Sequence, residues 1–392
     1  MQPAGRIHDF FSSGGHAFLV REATRDDIGP IQALYANVYG GLYRPGYATD
    51  PERLAREIAS PRHLWIVALE MGTLAAVAAF EADPLHRLGK TSGVAVRPDC
   101  RGVGVGTRLV ALGVEYLTGP ADATDVIYAT TRTQAQAPSR LVSAAGFRTL
   151  GVFPNAVEVD SLEHLNLEVF LTERALEKRR RKPYLHPPFQ SLYAVARAEL
   201  GLERAYLVTE RAPLELSRAR IPLGWIDDAK LAARRFAQYQ AEQRLSNSFF
   251  PFHEPNRLLV SEDGGTEIFV WYPGPGLQSA VVGYRTDRVN VHDLFEAVAV
   301  ALQRAGAAYV ELLVDAYDYR LQQQAITARY IPSAYFPAMS LNRDGLRDDY
   351  FVLSRTFRLL DFAGTCATAV GRKYLRAYLE VYERLYIRPA LA

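Results

Sequence analysis

Three glycines at alternate positions, Gly102, Gly104 and Gly106, separate an apolar run ending at Val96 from a helical pattern beginning near Thr107. Glycine lets the main chain approach a ligand and take backbone angles that other residues resist. A strand that runs through such a loop into a helix bares successive N–H groups at the helix's positive end, which suits phosphate oxygens. The stretch Arg101-Gly102-Val103-Gly104-Val105-Gly106-Thr107 is therefore read as a pyrophosphate cradle. A plain strand-to-helix turn seldom needs three glycines in five positions. A Walker loop requires Gly-Lys-Ser/Thr, whereas Gly106 is followed by Thr107-Arg108. A dinucleotide fingerprint requires its third glycine one residue later and an acidic ribose ligand on the following strand. Asp125 lies just before that strand and matches poorly. Cys100, beside the loop, is better suited to packing than to nucleophilic attack.

The loop needs a framework to hold it. A strand is expected at Phe18 to Arg21, followed by a helix capped by Thr24 or Asp26, with Ile28, Ile31, Leu34 and Tyr35 on one face. A second helix follows Asp50-Pro51, and a strand pair, Leu64 to Leu69 and Leu74 to Phe80, turns at Met71-Gly72. Then come a strand at Ser92 to Val96, the loop, a helix to Leu117, a strand at Val126 to Thr130, a helix at Ser139 to Ala145, and two closing strands ending at Leu171. Interleaved strands and helices predict an α/β (or α+β) fold with part of one sheet parallel. From Asp227 to Leu353 the same series of elements recurs without the same residues, so two copies of one architecture are expected. Where the second copy should carry its loop, Arg285-Thr-Asp-Arg-Val-Asn290 has no glycine and an acid that repels phosphate, so that copy is not expected to bind the same ligand.

Forty-five basic against 43 acidic side chains leave a formal charge of +2, too small for a general nucleic-acid footprint. Two cysteines exclude a disulfide framework and a four-thiolate zinc site, and no metal is called for. No run of about 18 apolar residues predicts a membrane span. The first residues lack a signal peptide's basic start and apolar stretch, and a soluble, cytoplasmic protein is the default expectation.

The loop closely resembles the acyl-CoA-binding motif of the GNAT N-acyltransferase family, Gln/Arg-x-x-Gly-x-Gly/Ala, here Arg101-Gly-Val-Gly104-Val-Gly106 after Val96-Arg-Pro98. The resemblance extends over Phe18 to Leu171 and includes Ser139-Arg-Leu-Val-Ser-Ala-Ala-Gly-Phe147, similar to the family's helix ending in Gly-Phe. It implies two tandem GNAT-like domains, each a mixed sheet flanked by helices and splayed between its fourth and fifth strands. It implies acetyl-CoA as co-substrate, with pantetheine on the backbone near Val94 and Val96 and pyrophosphate on amides from Arg101 to Thr107. One of the Val94 and Val96 amides would receive the thioester oxyanion.

Two family features are missing. Val142 stands where a tyrosine acid is common, and Thr91 to Val96 holds no acid where a glutamate base is common. Glu81, Asp83 and His86 are the nearest base candidates, each with the alternative of being a solvated loop residue. The acceptor pocket is expected at Tyr35, Tyr39 and Tyr43, on a segment that also carries Tyr47. In the plainer reading Tyr35 and Tyr39 pack the first helix and the others decorate the surface.

The division expected is a loose leader at 1–16, an acyl-CoA-binding domain at 17–172, a linker at 173–202, a degenerate GNAT-like domain at 203–360 and a C-terminal helix at 361–392. Within the linker, the basic run Lys178 to Lys182 is read as a solvated helix end. The C-terminal helix would dock on a domain or on a second subunit of a homo-oligomer. The function expected is acetyl transfer to a small amine. The alternative is a non-catalytic CoA-binding sensor or scaffold on the same fold, motivated by the two missing groups.

Overall fold

The computed structural model describes residues 7–40, 46–158, 162–209, 221–288 and 290–391. In the first half, chain order is β1 (His8–Ser13), β2 (His16–Glu22), α1 (Ile28–Tyr39), α2 (Pro51–Ala59), β3 (His63–Glu70), β4 (Thr73–Asp83), β5 (Leu88–Val96), α3 (Val105–Thr118), β6 (Val126–Arg132), α4 (Ala137–Ala144), β7 (Arg148–Glu158) and β8 (Leu162–Leu171). A connecting stretch holds α5 (Glu173–Glu177), α6 (Gln190–Leu200) and the short parallel pair β9 (Tyr184–Leu185) and β10 (Tyr206–Leu207). The second half comprises β11 (Leu223–Ile226), α7 (Ala229–Ala241), β12 (Arg257–Ser261), β13 (Thr266–Trp271), β14 (Gln278–Thr286), α8 (His292–Arg304), β15 (Tyr309–Asp315), α9 (Tyr319–Thr327), β16 (Ile331–Leu341) and β17 (Arg347–Thr356), followed by α10 (Ala369–Tyr382).

Fifteen of these strands form one mixed sheet, in the order β1-β2-β3-β4-β5-β6-β8-β7-β16-β17-β15-β14-β13-β12-β11. From β2 the first half reads first, second, third, fourth, fifth, seventh, sixth strand. The second half reads the same from β11 inward, and the two sixth strands, β7 and β16, meet in the middle. In each half the fourth and fifth strands pair in parallel: β5 with β6, and β14 with β15. Helices α1 and α2 cover one core on the first half, α3 covers another, and a third core runs across the junction into the second half.

Local sequence explains much of this. The Asp50 carboxylate accepts from the amides of Glu52 and Arg53, and Pro51 fills the first turn, so α2 starts there. Gly40 ends α1 in a left-handed conformation.

Three expectations are corrected. Residues 8–13 of the supposed leader are a strand, hydrogen-bonded along β2 with alternating exposure. The supposed linker contains α6, whose Leu192, Tyr193 and Ala196 are buried in the junction core. Its basic run is not a solvated helix end throughout: Arg179 is buried, 2.8 Å from Asp349 and from Glu203, and Arg180 pairs with Asp348 at 3.0 Å. The C-terminal helix docks on its own chain, with Tyr374 and Tyr378 buried against β7, β16 and α6.

The junction is tight. Gly151 on β7 faces Ala334 on β16, and a Cβ added at Gly151 would lie 2.1 Å from the Ala334 Cβ and 2.6 Å from its Cα. Arg347 of β17, fully buried, reaches across to Asp125 at 3.0 Å and to the carbonyl of His86 at 3.0 Å. Glu311 of β15 is also buried at this junction, and burial pushes its carboxyl up to about 7.

Two predictions follow from this packing. Gly151→Ala should destabilise the chain by about 1–3 kcal/mol in urea unfolding, because main chain rather than a flexible side chain must move. Gly224→Ala, whose added Cβ meets only one atom at 3.6 Å, is the matched control and should stay close to wild type. For Glu311, the folded state holds the proton more tightly than the unfolded chain does. Its contribution is therefore most favourable below the ordinary value of 4.5 and is lost as pH rises toward about 7. Glu311→Gln should then raise the thermal midpoint at pH 8 relative to wild type, by up to ~3 kcal/mol in stability, with the advantage shrinking toward pH 4.

Candidate functional site

The site begins where the sheet opens. Strands β5 and β6 pair only at Leu88–Val126, Gly89–Ile127 and Lys90–Tyr128, then diverge into a fork. Gly93 and Val94 lie in a bulge on β5 and pair with neither adjacent strand. Side chains fill part of that deficit. Tyr35 donates to the Gly93 carbonyl at 2.5 Å, Tyr39 to the Val94 carbonyl at 3.2 Å, and Arg101 to the Val96 carbonyl at 3.3 Å. A side chain at Gly93 would strike the hydroxyls of Tyr35 and Tyr47 at 2.5 and 2.9 Å, so glycine is required for this approach.

The glycine loop stands at the fork's mouth. Gly102 and Gly104 adopt left-handed angles, φ +81° and +85°, and a Cβ at either would meet nothing within 4 Å. Gly104 is the N-cap of α3, and no side chain caps that helix. The first-turn amides are thus left without intrahelical partners at the positive end of a fourteen-residue helix. Gly106 serves a different end. Its Cβ would fall 2.9 Å from Leu141 Cδ1 and 3.1 Å from Val96 Cγ2, so it permits α3 to pack against α4 and β5.

Fork and loop open on one cavity of about 1780 Å³. Of the residues expected from sequence, Tyr39, Glu81, Val94, Val96, Arg101, Gly102, Gly104, Val105, Gly106 and Thr107 line it. Val103 packs partly buried against the core under α3. Tyr35 is buried behind the cavity wall and serves the bulge, while Tyr47 lines the cavity. Tyr43 lies outside the described residues. Asp83 and His86 do not line the cavity. Asp83 caps a turn by accepting from the Leu85 amide at 2.9 Å, and His86 packs at a tilt on Phe249 and accepts from the Leu341 amide at 3.3 Å.

The sheet register brings in groups that sequence reading missed. His63, Glu81, Lys90 and Tyr128 are direct cross-strand neighbours on β3, β4, β5 and β6, and so share one face. Glu81 has Arg62 at 3.6 Å. Burial lowers the pKa of Lys90 and raises that of the Tyr128 phenol well above its usual range. Phe252, His253, Trp271 and Gln278, all from the second half, form part of the same cavity wall, and so does Cys366. The Nδ1 of His253 lies 2.7 Å from the Pro251 carbonyl, and burial, with Lys90 nearby, pushes its imidazole down to about 3. The one available signal was Lys90, a lone charge directly opposite Glu81 in the β4–β5 hairpin.

The second half solves the same geometry differently. Strands β14 and β15 pair only from Gln278–Tyr309 to Val281–Leu312 before diverging, while Gly283 and Tyr284 beyond the split still pair with β13. There the chain's own segment lies on the strand: the Tyr284 amide donates to Asn247 at 3.2 Å and the Ser246 amide to Tyr284 at 2.8 Å. At the loop position, Arg285 pairs with Glu267 and Arg288 with Asp263 at 2.9 Å.

Cys100 is buried, with its thiol pushed up to about 11. With His16 and Glu70 it forms a compact group of ligand-type atoms within 4.8 Å of one another. The Arg97 guanidinium already binds Glu70 there and lies 3.2 Å from the Cys100 Sγ, placing a cation where a metal would sit. No helix among the described residues is long and apolar enough to cross a membrane.

The chain is similar to several known proteins. Solved structures that align with the chain include a GNAT-family acetyltransferase from Streptococcus pneumoniae (18% identical, covering 40% of this chain and 99% of that one, TM-score 0.35). Others are a spermidine N-acetyltransferase SpeG mutant from Vibrio cholerae (16%, 40% and 95%, TM-score 0.35) and yncA from Salmonella typhimurium with acetyl-CoA (18%, 40% and 94%, TM-score 0.35). No curated protein matches the chain. The family model described as "Acetyltransferase (GNAT) family" matches residues 32–147, which hold the α1 tyrosines, the fork, the glycine loop and α4. Residues 32–147, under a third of the chain, thus carry a similarity to the GNAT acetyltransferase family.

Proposed function

We propose that the chain is an acetyl-CoA-dependent N-acetyltransferase that moves an acetyl group onto a small amine by direct attack, and that it is a tandem of one active and one degenerate copy. The observation that carries this reading is the open glycine cradle at the uncapped start of α3, facing the same cavity as the unpaired bulge of β5. Amides from Arg101 to Thr107 would hold the diphosphate of acetyl-CoA, and β5 near Val94 and Val96 would take the pantetheine. Acetyl-CoA is the co-substrate and supplies the electrophilic thioester carbonyl.

In the reaction the amine lone pair adds to that carbonyl carbon, the carbon–sulfur bond breaks, and a proton passes from nitrogen toward the departing thiolate. The Val94 amide, in the bulge, is the donor assigned to the oxyanion. Glu81, on the cavity wall, is assigned the proton from the acceptor ammonium, through water. The Tyr39 hydroxyl, 3.2 Å from the Val94 carbonyl, stays protonated because burial raises its pKa, and it is the proton source at hand for the thiolate. The second half would close the acceptor end with Phe252, His253, Trp271 and Gln278, while its own fork is occupied by residues 246–247. Cytoplasmic residence is part of the same reading.

A second reading, a CoA-binding sensor without turnover, is favoured by Val142, which is buried on the cavity wall where the family commonly has a tyrosine.

Titration calorimetry with acetyl-CoA should show binding at one site per chain, and no binding at millimolar ligand would remove both readings. Gly104→Asp should weaken that binding by at least about 100-fold. It forces a side chain into a left-handed position and sets a carboxylate against the diphosphate. Cys100→Ala should leave the dissociation constant nearly unchanged, and the reverse order of effects would refute the placement of the cradle. Thiol release from acetyl-CoA across an amine panel separates enzyme from sensor, since binding without release on any amine favours the sensor.

A further inference from the structure

Behind the main cavity lies a chamber of about 80 Å³, and Lys90, Thr130, Leu165, His253 and Gln278 line both spaces, so they ring the passage between them. Lys90 comes from the first half, His253 and Gln278 from the second. The Lys90 ammonium makes no hydrogen bond and no ion pair with a described residue. Its neighbours are the Tyr128 ring, 5.9 Å from Nζ, the Glu81 carboxylate directly across the strand pair, and Glu311, which lines the same chamber.

Enclosure without a close counter-charge lowers the pKa of Lys90, as expected of a cation that lacks its partner. The surrounding groups do not supply that partner. Glu81 already has Arg62 at 3.6 Å, burial pushes Glu311 up to about 7 so that it carries only part of a charge at neutral pH, and His253 is neutral. A second cation at this passage would meet repulsion from Lys90. An anion would restore the missing pair, with the Gln278 amide beside it as a further donor. The chamber itself holds Glu311 among mostly apolar side chains, so the anion is placed at the passage, on the Lys90 and Gln278 side.

We infer that the acceptor is an amine that also carries a carboxylate, and that Lys90 and Gln278 receive this carboxylate at the passage between the two halves. The inference rests on the acetyltransferase reading above and names the substrate class of that same site. Lys90 and Val94 are four residues apart on β5, roughly 13 Å of extended strand less the bulge, so amine and carboxylate several bonds apart are favoured. The second half thereby gains a part in choosing the acceptor.

The test uses the full chain labelled with [ε-¹³C]lysine and saturated with CoA, with the Lys90 signal assigned by its loss in K90R. Glycine, β-alanine and γ-aminobutyrate are titrated in, each beside its own carboxamide. The expected result is that at least one of the carboxylates shifts the Lys90 signal and raises its pKa, saturating in the millimolar range, while the matched carboxamide does neither. In thiol-release assays the ratio of kcat/KM for carboxylate over carboxamide should exceed about tenfold in wild type, fall toward one in K90M, and be partly restored in K90R. A Lys90 signal that ignores all three carboxylates, or answers carboxylate and carboxamide alike, overturns the inference. CoA calorimetry on the same sample separates the two failures. CoA binding with an unresponsive Lys90 refutes the carboxylate class alone, whereas absence of CoA binding refutes the acetyltransferase reading beneath it.

Discussion

The structure depends on a backbone hydrogen-bond deficit. A strand inside a sheet has N–H and C=O groups on both edges, and those left unpaired in the interior cost free energy. When β5 leaves β6 after Lys90, the groups beyond it lose a neighbouring strand, and the bulge at Gly93 and Val94 loses pairing with β4 as well. The protein offsets part of this loss with side chains: Tyr35, Tyr39 and Arg101 each donate to a carbonyl of the orphaned stretch. Carbonyls are satisfied in this way, but hydroxyl and guanidinium groups used as donors cannot serve strand amides. Amide donors are what the proposed thioester carrier would use, both along the strand and at the uncapped start of α3.

In the second half only the β14 edge left by β15 is open, and the chain covers it internally. The amide and carbonyl of Tyr284 both find partners in residues 246–247. Gly283 is required for that contact just as Gly93 is for the tyrosine hydroxyls: a Cβ at Gly283 would fall 2.5 Å from the Asn247 carbonyl oxygen, and one at Gly93 would fall 2.5 Å from the Tyr35 hydroxyl. One architecture thus appears twice with the same glycine and two different fillers. In the first copy the filler leaves an open cavity, and in the second it is main chain of the protein itself. The segment that continues from residue 247 then carries Phe252 and His253 to the first copy's cavity. Closing one fork and walling the other are consequences of a single stretch of chain.

Much of this was legible in sequence because it is local. The glycine spacing, the Asp50-Pro51 helix start and the hairpin at Met71-Gly72 are set by neighbours within a few residues, and the repeated order of elements emerges from such local signals. Features set by pairing were not legible. The β5 segment Leu88-Gly-Lys-Thr-Ser lacks apolar alternation, so the strand is longer than its pattern suggests, and Lys90, the charge at the apex of the fork, was passed over. Asp83 and His86 looked close to the site in sequence. In space they lie past the β4–β5 turn, where His86 contacts Phe249 and Leu341 of the other half. In sequence the edge strand β1 and the buried helix α6 resemble leader and linker, because their partners are distant or arrive later in the chain. His253 and Gln278 could not have been found at all without the junction of β7 and β16.

That junction also explains why ionisable groups around the passage are pressed toward neutrality. A surface site would leave Lys90 and Glu311 in contact with water, which stabilises both charges. Joining two sheets edge to edge buries Glu311 and partly encloses Lys90, which lowers the pKa of the lysine and raises that of the acid. Such a region is least stable as charge on one group alone and most stable when charge of the opposite sign arrives with a ligand. The glycine loop has the complementary character, since its positive end comes from peptide dipoles that cannot titrate. On the proposed reading the co-substrate end would be built from main chain, indifferent to pH and tolerant of side-chain change. The proposed acceptor end would be built from side chains of both halves, and selectivity among acceptors would reside there.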